Sequence, residues 1–188
     1  MPPPPFPLKS YQVQALTALR RFLEVTVELD DADTAFYNLT RRRFTSPPAL
    51  PGLPFVCLRV PTGGGKTILA AHSIAVAADS FLRADAPTVV WFVPSQTIRD
   101  QTLTTLQDRT HPNRRALAER FGENVRIMGV SDALYAKRAD YDGGAVVIVA
   151  TIQAFKVEET EGRKVYEANG ELMDHFTGLP EALRASLE

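Results

Sequence analysis

Apolar residues along the chain follow two patterns that predict two kinds of element. Short continuous apolar runs predict buried strands, and they cover residues 55–60, 88–93, 124–128 and 145–150. Apolar residues at three- and four-residue spacing predict helices, and these cover residues 10–29, 30–43, 67–83 and 96–108. Because the strands alternate with helices, the pattern favours the α/β class, with a mostly parallel sheet flanked by helices.

A glycine-rich turn joins the first predicted strand to the helix that follows it. The turn reads Pro-Thr-Gly-Gly-Gly-Lys-Thr over residues 61–67. A strand, a turn ending in Gly-Lys-Thr and a helix are typical of a phosphate-binding loop, in which glycines let backbone N–H groups surround an anion. The alternative is an ordinary turn with a chance Lys-Thr pair, and three consecutive glycines in this context argue against it.

Two side chains at the end of this turn would carry the chemistry. In such loops the lysine, here Lys66, reaches the β- and γ-phosphates, and the hydroxyl of Thr67 ligates Mg²⁺. Val60 stands where the general pattern has a further glycine. This variant resembles motif I of superfamily two helicases and translocases, which often lack that glycine.

Three further segments resemble motifs of the same superfamily. Residues 94–101 follow the second predicted strand in the register of motif Ia, and Thr151 ends the last predicted strand as in motif Ic. Near the start, Gln12 lies in a Tyr-Gln-x-x-Ala segment that resembles the Gln motif. All four follow the family order. Over residues 8–155 the chain most resembles the DEAD/DEAH-type helicases related to the Res subunit of type III restriction enzymes.

The resemblance implies a RecA-like P-loop domain that uses ATP and Mg²⁺. It implies that Lys66 and Thr67 are catalytic, that Thr67 holds Mg²⁺, and that Gln12 reads adenine. The residues expected to bind the nucleotide are Gln12, Thr62, Gly63, Gly64, Gly65, Lys66 and Thr67. Those expected to bind the nucleic-acid backbone are Pro94, Ser95, Gln96, Thr97, Thr151 and Gln153.

The resemblance also implies partners. They are nucleic acid, with DNA favoured over RNA, the remainder of the motor with motif II and a second RecA-like domain, and a modification or nuclease subunit. It places the protein in the cytoplasm, away from membranes.

One expected motif does not occur in the sequence. No Asp-Glu pair follows an apolar strand, so motif II is missing and the predicted sheet is incomplete at the C-terminus. We therefore interpret residues 1–54 as a Pro-rich arm, a Gln-motif helix and a linker, residues 55–155 as the RecA-like core, and residues 156–188 as an acidic insertion before motif II. The chain is thus predicted to be the N-terminal part of a larger motor that does not turn over ATP by itself.

Composition and charge narrow the classes of function. The chain has 188 residues and a formal net charge of -1, so any nucleic-acid contact must come from local patches rather than from an overall positive field. The single cysteine, Cys57, lies in a predicted buried strand and is expected to be a core residue. A disulfide within the chain is impossible, which fits a reducing compartment. No apolar stretch is long enough to span a bilayer.

Other reactive side chains have ordinary interpretations. The three histidines lie far apart in sequence without metal-ligand spacing, Ser95 lacks the setting of a hydrolase nucleophile, and Trp91 is expected in the core. A basic cluster is expected on a solvated helix face, and its members are Arg109, Arg114, Arg115 and Arg120.

Two further classes of function stay open beside the helicase motor. One is a nucleotide-binding or interaction module without turnover, because the acid that holds Mg²⁺ and activates water is missing. The other is a different phosphate-loop enzyme, such as a small kinase. The Gln-motif segment upstream and the Ia-like segment downstream argue against the kinase.

Overall fold

The computed structural model describes residues 7–44, 50 and 52–155 of the chain. The helices and strands, in chain order, are α1 (Ser10–Leu29), α2 (Ala32–Thr40), α3 (Lys66–Ala77) with its π-helical continuation Ala78–Leu82, β1 (Thr88–Val93), α4 (Gln96–Gln107), α5 (Pro112–Phe121), β2 (Arg126–Gly129), α6 (Val130–Ala133), α7 (Arg138–Asp142), β3 (Val146–Thr151) and a 3-10 turn at Ile152–Phe155.

A three-stranded parallel sheet confirms the α/β class. Its strand order is β1-β3-β2, so the last strand in sequence lies in the middle. Every residue of β3 except Ile148 is buried, whereas burial alternates along β1 as expected of an edge strand with one covered face. Val93 pairs with Thr151, so β1 and β3 end side by side at one edge of the sheet.

The chain divides into two compact units. The first unit contains α1, α2, α3 and α5, and the second contains the sheet with α4, α6 and α7. The core of the first unit forms where α1 meets α2, and three aromatic rings close it. Phe22 meets Phe36 edge-on at 5.9 Å between ring centroids, and Phe36 lies 5.4 Å from Phe44.

The start of α2 follows from its capping residue. The side chain of Asp31 accepts hydrogen bonds from the backbone N–H groups of Asp33 and Thr34, and its carboxylate also accepts from the Thr34 hydroxyl at 2.6 Å. These bonds, that of the Thr34 hydroxyl first, hold the pKa of the Asp31 carboxyl below its usual value. Asp30, in the left-handed conformation, ends α1 instead. The predicted helix over residues 30–43 is therefore shorter, and Asp31 is its cap.

The predicted strand over residues 55–60 is wrong. The structure places these residues outside helices and strands, and the side chains of Phe55 and Cys57 are exposed rather than buried. Val56 packs against the core of the first unit. A strand needs a hydrogen-bonded neighbour, and within the described residues no strand pairs with this segment. An apolar run identifies a segment that packs, but it does not supply a pairing partner.

The basic cluster is only partly a solvated face. Arg114 is 4% exposed, which contradicts the predicted surface position. It belongs to α5, an element that the apolar pattern did not predict. Two sequence signals mark this helix: Pro112 at its first turn and Gly122 just after its end, with a φ of 67°. At the other end of α5, Arg120 pairs with the carboxylates of Asp79, which lies in the π-helical segment, and of Asp85, which follows it.

Several predicted regions lie outside the described residues. These are nearly all of the Pro-rich arm, most of the linker before residue 52, and the acidic segment 156–188. In the part of the chain that the structure does describe, every helix is too short or too polar to cross a membrane.

Candidate nucleotide-binding site and sheet-edge surface

The glycine-rich turn has the backbone of a loop that curls around an anion. Gly63 and Gly65 both have a φ of 75°, a conformation that side chains disfavour, and the Gly64 N–H donates to the Pro61 carbonyl at 3.0 Å. Gly65 caps α3, which begins at Lys66 and runs for 12 residues. The free N–H groups of the first helical turn therefore adjoin the loop, together with the positive end of the helix.

The two sides of the loop differ in crowding. A methyl group on Gly65 would come 2.5 Å from Nε2 of Gln12, and one on Gly64 would come 2.6 Å from a methyl group of Val60. A methyl group on Gly63 would meet no atom within 4 Å. The loop thus presses its last two glycines against the protein and leaves Gly63 open on the other side, where an anion has room.

Lys66 and Thr67 are the first two residues of α3, directly after the last glycine of the loop. The ammonium group of Lys66 donates to the carbonyl oxygen of Pro61 at 2.9 Å, which keeps its charge over the loop. Thr67 is half-buried and lines the same cavity as the glycines. An ammonium, a hydroxyl and a set of backbone N–H groups are the donors and metal ligand that a magnesium triphosphate requires. The residues present therefore fit ATP with Mg²⁺.

Gln12 fastens α1 to the loop. It is 3% exposed, and its Oε1 accepts from the Lys9 N–H at 2.8 Å while its Nε2 donates to the Gly64 carbonyl at 3.0 Å. The hydroxyl of Tyr11 donates to the same carbonyl at 2.8 Å. One hydrogen of Nε2 remains for a ligand. The sequence pattern predicted adenine contact for Gln12 and did not predict that it holds the loop.

A cavity of about 310 Å³ lies against the loop. This volume lies at the lower end of the range for small-molecule sites, about 300 to 1,000 Å³. Three elements of the first unit line it, namely the start of α1, the loop with the start of α3, and the start of α5, through residues that include Tyr11, Ile68, His111 and Pro112. A larger apolar groove of about 610 Å³ lies between α1, α2 and residues 55–58. It lacks the loop, so we place the site at the smaller cavity.

The start of α5 is the part of this cavity that sequence reasoning missed. His111 was interpreted as an ordinary helix or surface residue, yet it caps α5 and lines the cavity with Pro112 and Asn113. The only local signal was a proline one residue after a possible cap. Nothing in the spacing indicated that this helix start approaches the loop, since 44 residues separate His111 from Thr67.

The residues predicted to bind nucleic acid meet at one edge of the sheet in the second unit. Because Val93 pairs with Thr151, the segments that follow β1 and β3 leave the sheet side by side. The side chains of Pro94, Ser95, Gln96, Thr97 and Gln153 are exposed there. Ser95 also caps α4, because its Oγ accepts from the Ile98 N–H at 3.4 Å. Thr151 is the exception. It is 1% exposed, and its hydroxyl has no hydrogen-bond partner within the described part of the chain.

The remaining candidates do not form a second site. Trp91, which was expected in the core, is only half-buried in β1. In α3, partial burial of the His72 imidazole lowers the pKa of His72. Within residues 7–44 and 52–155, no three His, Cys, Asp or Glu side chains lie close enough together to hold a metal ion.

One comparison with known proteins gives a match. The family model described as type III restriction enzyme, res subunit, matches residues 5–176, which is most of the chain. No curated protein and no solved structure is significantly similar to it.

Proposed function

Since the chain belongs to the res-subunit family of type III restriction enzymes, a family of helicase-like, ATP-dependent nucleic-acid enzymes with a RecA-like P-loop domain, we propose that it is the N-terminal part of a DNA helicase or translocase motor. In this proposal it binds ATP with Mg²⁺ at the loop and the nucleic-acid backbone at the sheet edge. The observation that carries the proposal is the loop itself, in which two left-handed glycines and a helix start line one cavity and the Lys66 ammonium is held at the Pro61 carbonyl.

The nucleotide half of the proposal assigns a role to each loop residue. Backbone N–H groups of the loop other than that of Gly64, which donates to the Pro61 carbonyl, surround the phosphates. Lys66 exchanges its own bond to that carbonyl for phosphate oxygens. Thr67 supplies a hydroxyl ligand to Mg²⁺, which neutralises charge on the phosphoryl group during transfer. Gln12 holds the loop from behind and offers its remaining amide hydrogen to the base.

The nucleic-acid half rests on the sheet edge. Its exposed groups are uncharged side chains and the N-terminus of α4, which suit phosphates and sugars and carry no sequence information. Arg99 on the same helix pairs with the carboxylate of Asp100 at 2.8 Å, so the positive charge of Arg99 is partly neutralised within the protein. Gln153 and Thr97 would contact the nucleic-acid backbone directly. Thr151 is buried, so it would reach the nucleic acid only if the residues that cover the end of β3 moved away.

We expect Thr67→Val to remove the Mg²⁺ dependence of ATP binding. Valine keeps the shape and loses the hydroxyl, so the metal loses its ligand from the chain. Thr67→Ser keeps the hydroxyl and is the matched control. Titration calorimetry with a non-hydrolysable ATP analogue, with Mg²⁺ and with EDTA, measures the dependence. Tighter binding in Mg²⁺ for wild type and Thr67→Ser but not for Thr67→Val supports the proposal, and no binding by the wild type would reject it.

A second expected result concerns the sheet edge. Gln153→Ala should weaken binding of labelled single-stranded DNA by about 3- to 10-fold, the effect of losing one hydrogen bond at a contact. Gln14→Ala, an exposed glutamine on α1 in the first unit, is the control. Fluorescence anisotropy with DNA and RNA of the same sequence measures both the loss of affinity and the preference of the protein for DNA or RNA. Equal affinities for Gln153→Ala and Gln14→Ala would remove the sheet edge from the proposal.

The second candidate is a nucleotide-binding or interaction module without turnover. The missing Asp-Glu pair favours it for this chain, because such a pair anchors Mg²⁺ and orients the attacking water. Both candidates predict no ATP hydrolysis by the 188-residue chain alone. They separate when the chain is assayed together with the remaining motor domains, since nucleic-acid-stimulated ATP hydrolysis that Lys66→Ala abolishes belongs only to the motor. As part of a motor, the chain would have a second RecA-like domain and a modification or nuclease subunit as further partners, and the motor would act in the cytoplasm.

A further inference from the structure

We propose that His111 is a base-binding residue of the loop cavity and that it gives the site a preference for purine over pyrimidine nucleotides. This inference rests on the proposed nucleotide binding and adds a residue that belongs to none of the helicase motifs. Its first support is position. His111 lines the cavity of about 310 Å³ together with the loop, and both belong to the same compact unit.

The second support is the state of the imidazole ring. Nδ1 of His111 accepts a hydrogen bond from the Asn113 backbone N–H at 3.2 Å, as the cap of α5. In a neutral imidazole one nitrogen accepts and the other carries the proton. The cap therefore fixes the tautomer, and Nε2 is the nitrogen that carries a hydrogen for a ligand. His111 is thus a donor held on a rigid helix start.

The third support is that apolar and aromatic residues line the cavity near His111. The ring of Tyr11, the side chain of Ile68 and the ring of Pro112 also line this cavity. The Tyr11 hydroxyl is committed to the Gly64 carbonyl, so the tyrosine offers the cavity its ring rather than a polar group. Apolar and aromatic faces suit a flat base and give nothing to a phosphate. The loop takes the phosphates, and this end of the cavity takes the base.

A donor at this position selects by acceptors on the base. Adenine and guanine both present N7 as an acceptor, and pyrimidines have no such atom. The remaining hydrogen of Gln12 Nε2 is a second donor at the same cavity. A purine therefore satisfies the Nε2–H of His111 with N7, whereas a pyrimidine bound in the same orientation presents C5–H in place of N7 and leaves this donor unpaired. This hydrogen bond from His111 does not distinguish ATP from GTP, because both bases carry N7.

The test compares two substitutions and two kinds of ligand. His111→Asn keeps a good helix cap and loses the imidazole Nε2, whereas His111→Ala loses both. Binding of ATP, GTP, CTP and base-free tripolyphosphate to the 188-residue chain is measured by calorimetry, with melting temperatures alongside. We expect His111→Asn to weaken ATP and GTP by about 3- to 10-fold, with CTP and tripolyphosphate within about twofold of wild type. We expect only His111→Ala to lower the melting temperature.

Two outcomes would overturn the inference. Unchanged ATP binding by His111→Asn would mean that the ring only caps α5. An equal loss for tripolyphosphate would mean that His111 acts on the phosphates or on the loop. Either result leaves the proposed function standing as long as the wild type binds tripolyphosphate and Lys66→Ala does not. Absence of all binding by the wild type would reject the proposed function and this inference together.

Discussion

Lys66→Ala is expected to weaken the binding of ATP and of tripolyphosphate to the same extent, by about 10- to 100-fold, the range for hydrogen bonds to charged groups. The effect is expected to be equal because, in the proposed site, Lys66 contacts phosphates and not the base. The ammonium already has a partner in the free protein, since it donates to the Pro61 carbonyl at 2.9 Å. Binding therefore exchanges a neutral acceptor for a charged one, and this exchange is what the substitution removes.

Lys9→Ala is the matched control for this result. Lys9 lines the cavity beside the loop and carries the same charge as Lys66, but its described hydrogen bond uses the backbone N–H, which alanine keeps. If the loss came only from a less positive cavity, both substitutions would weaken tripolyphosphate alike. Calorimetry at two salt concentrations measures this, and similar losses for the two variants would contradict the role of Lys66.

Gly65→Ala is expected to be the most damaging single-methyl change in the loop. It should lower the free energy of unfolding by about 2 to 5 kcal/mol, from left-handed strain of about 1 to 2 kcal/mol and from overpacking of about 1 to 3 kcal/mol. The strain follows from the φ of 75°, and the overpacking from the contact of 2.5 Å with Gln12. Because the methyl group displaces the glutamine that holds Gly64, nucleotide binding should be lost as well.

Gly63→Ala separates the effect of backbone strain from the effect of overpacking. It has the same φ of 75°, but its methyl group meets no atom within 4 Å, so only the strain remains. Urea unfolding of both variants should show that Gly65→Ala is less stable than Gly63→Ala. A double variant with Gln12→Ala should lose less stability than the sum of its two single changes, because the displaced group is gone. Equal stabilities for the two glycine variants would contradict the crowding.

Local signals explain what the sequence could predict. The strand over residues 88–93 has the predicted bounds, and β3 lies within one residue of its predicted bounds, because both are continuous apolar runs in a parallel sheet. The middle strand β3 is almost entirely buried, whereas the edge strand β1 is covered on one face. The loop was predictable because Gly-Lys-Thr before a helix is a local pattern. The class of fold and the resemblance to the restriction-enzyme family were both confirmed.

Non-local contacts explain what it could not. Residues 55–60 have the composition of a strand, but pairing depends on a neighbour that no local pattern reveals. The helix α5 is marked mainly by its proline and glycine ends, because its buried residues include the polar Asn113 and Arg114 beside Ala116 and Leu117. The positions of Gln12 and His111 at the loop depend on chain segments 52 and 44 residues apart, and periodicity carries no information at that range.

The hydrogen bonds from Tyr11 and Gln12 to the Gly64 carbonyl have a mechanical consequence. α1 is a continuous helix of 20 residues, about 30 Å long at 1.5 Å per residue, and it is attached to the phosphate loop through its first turn. A helix of this length transmits a displacement along its axis with little loss. A force on the far end of α1 would therefore reach the Gly64 carbonyl directly, and a ligand that stiffens the loop would in return restrain the helix.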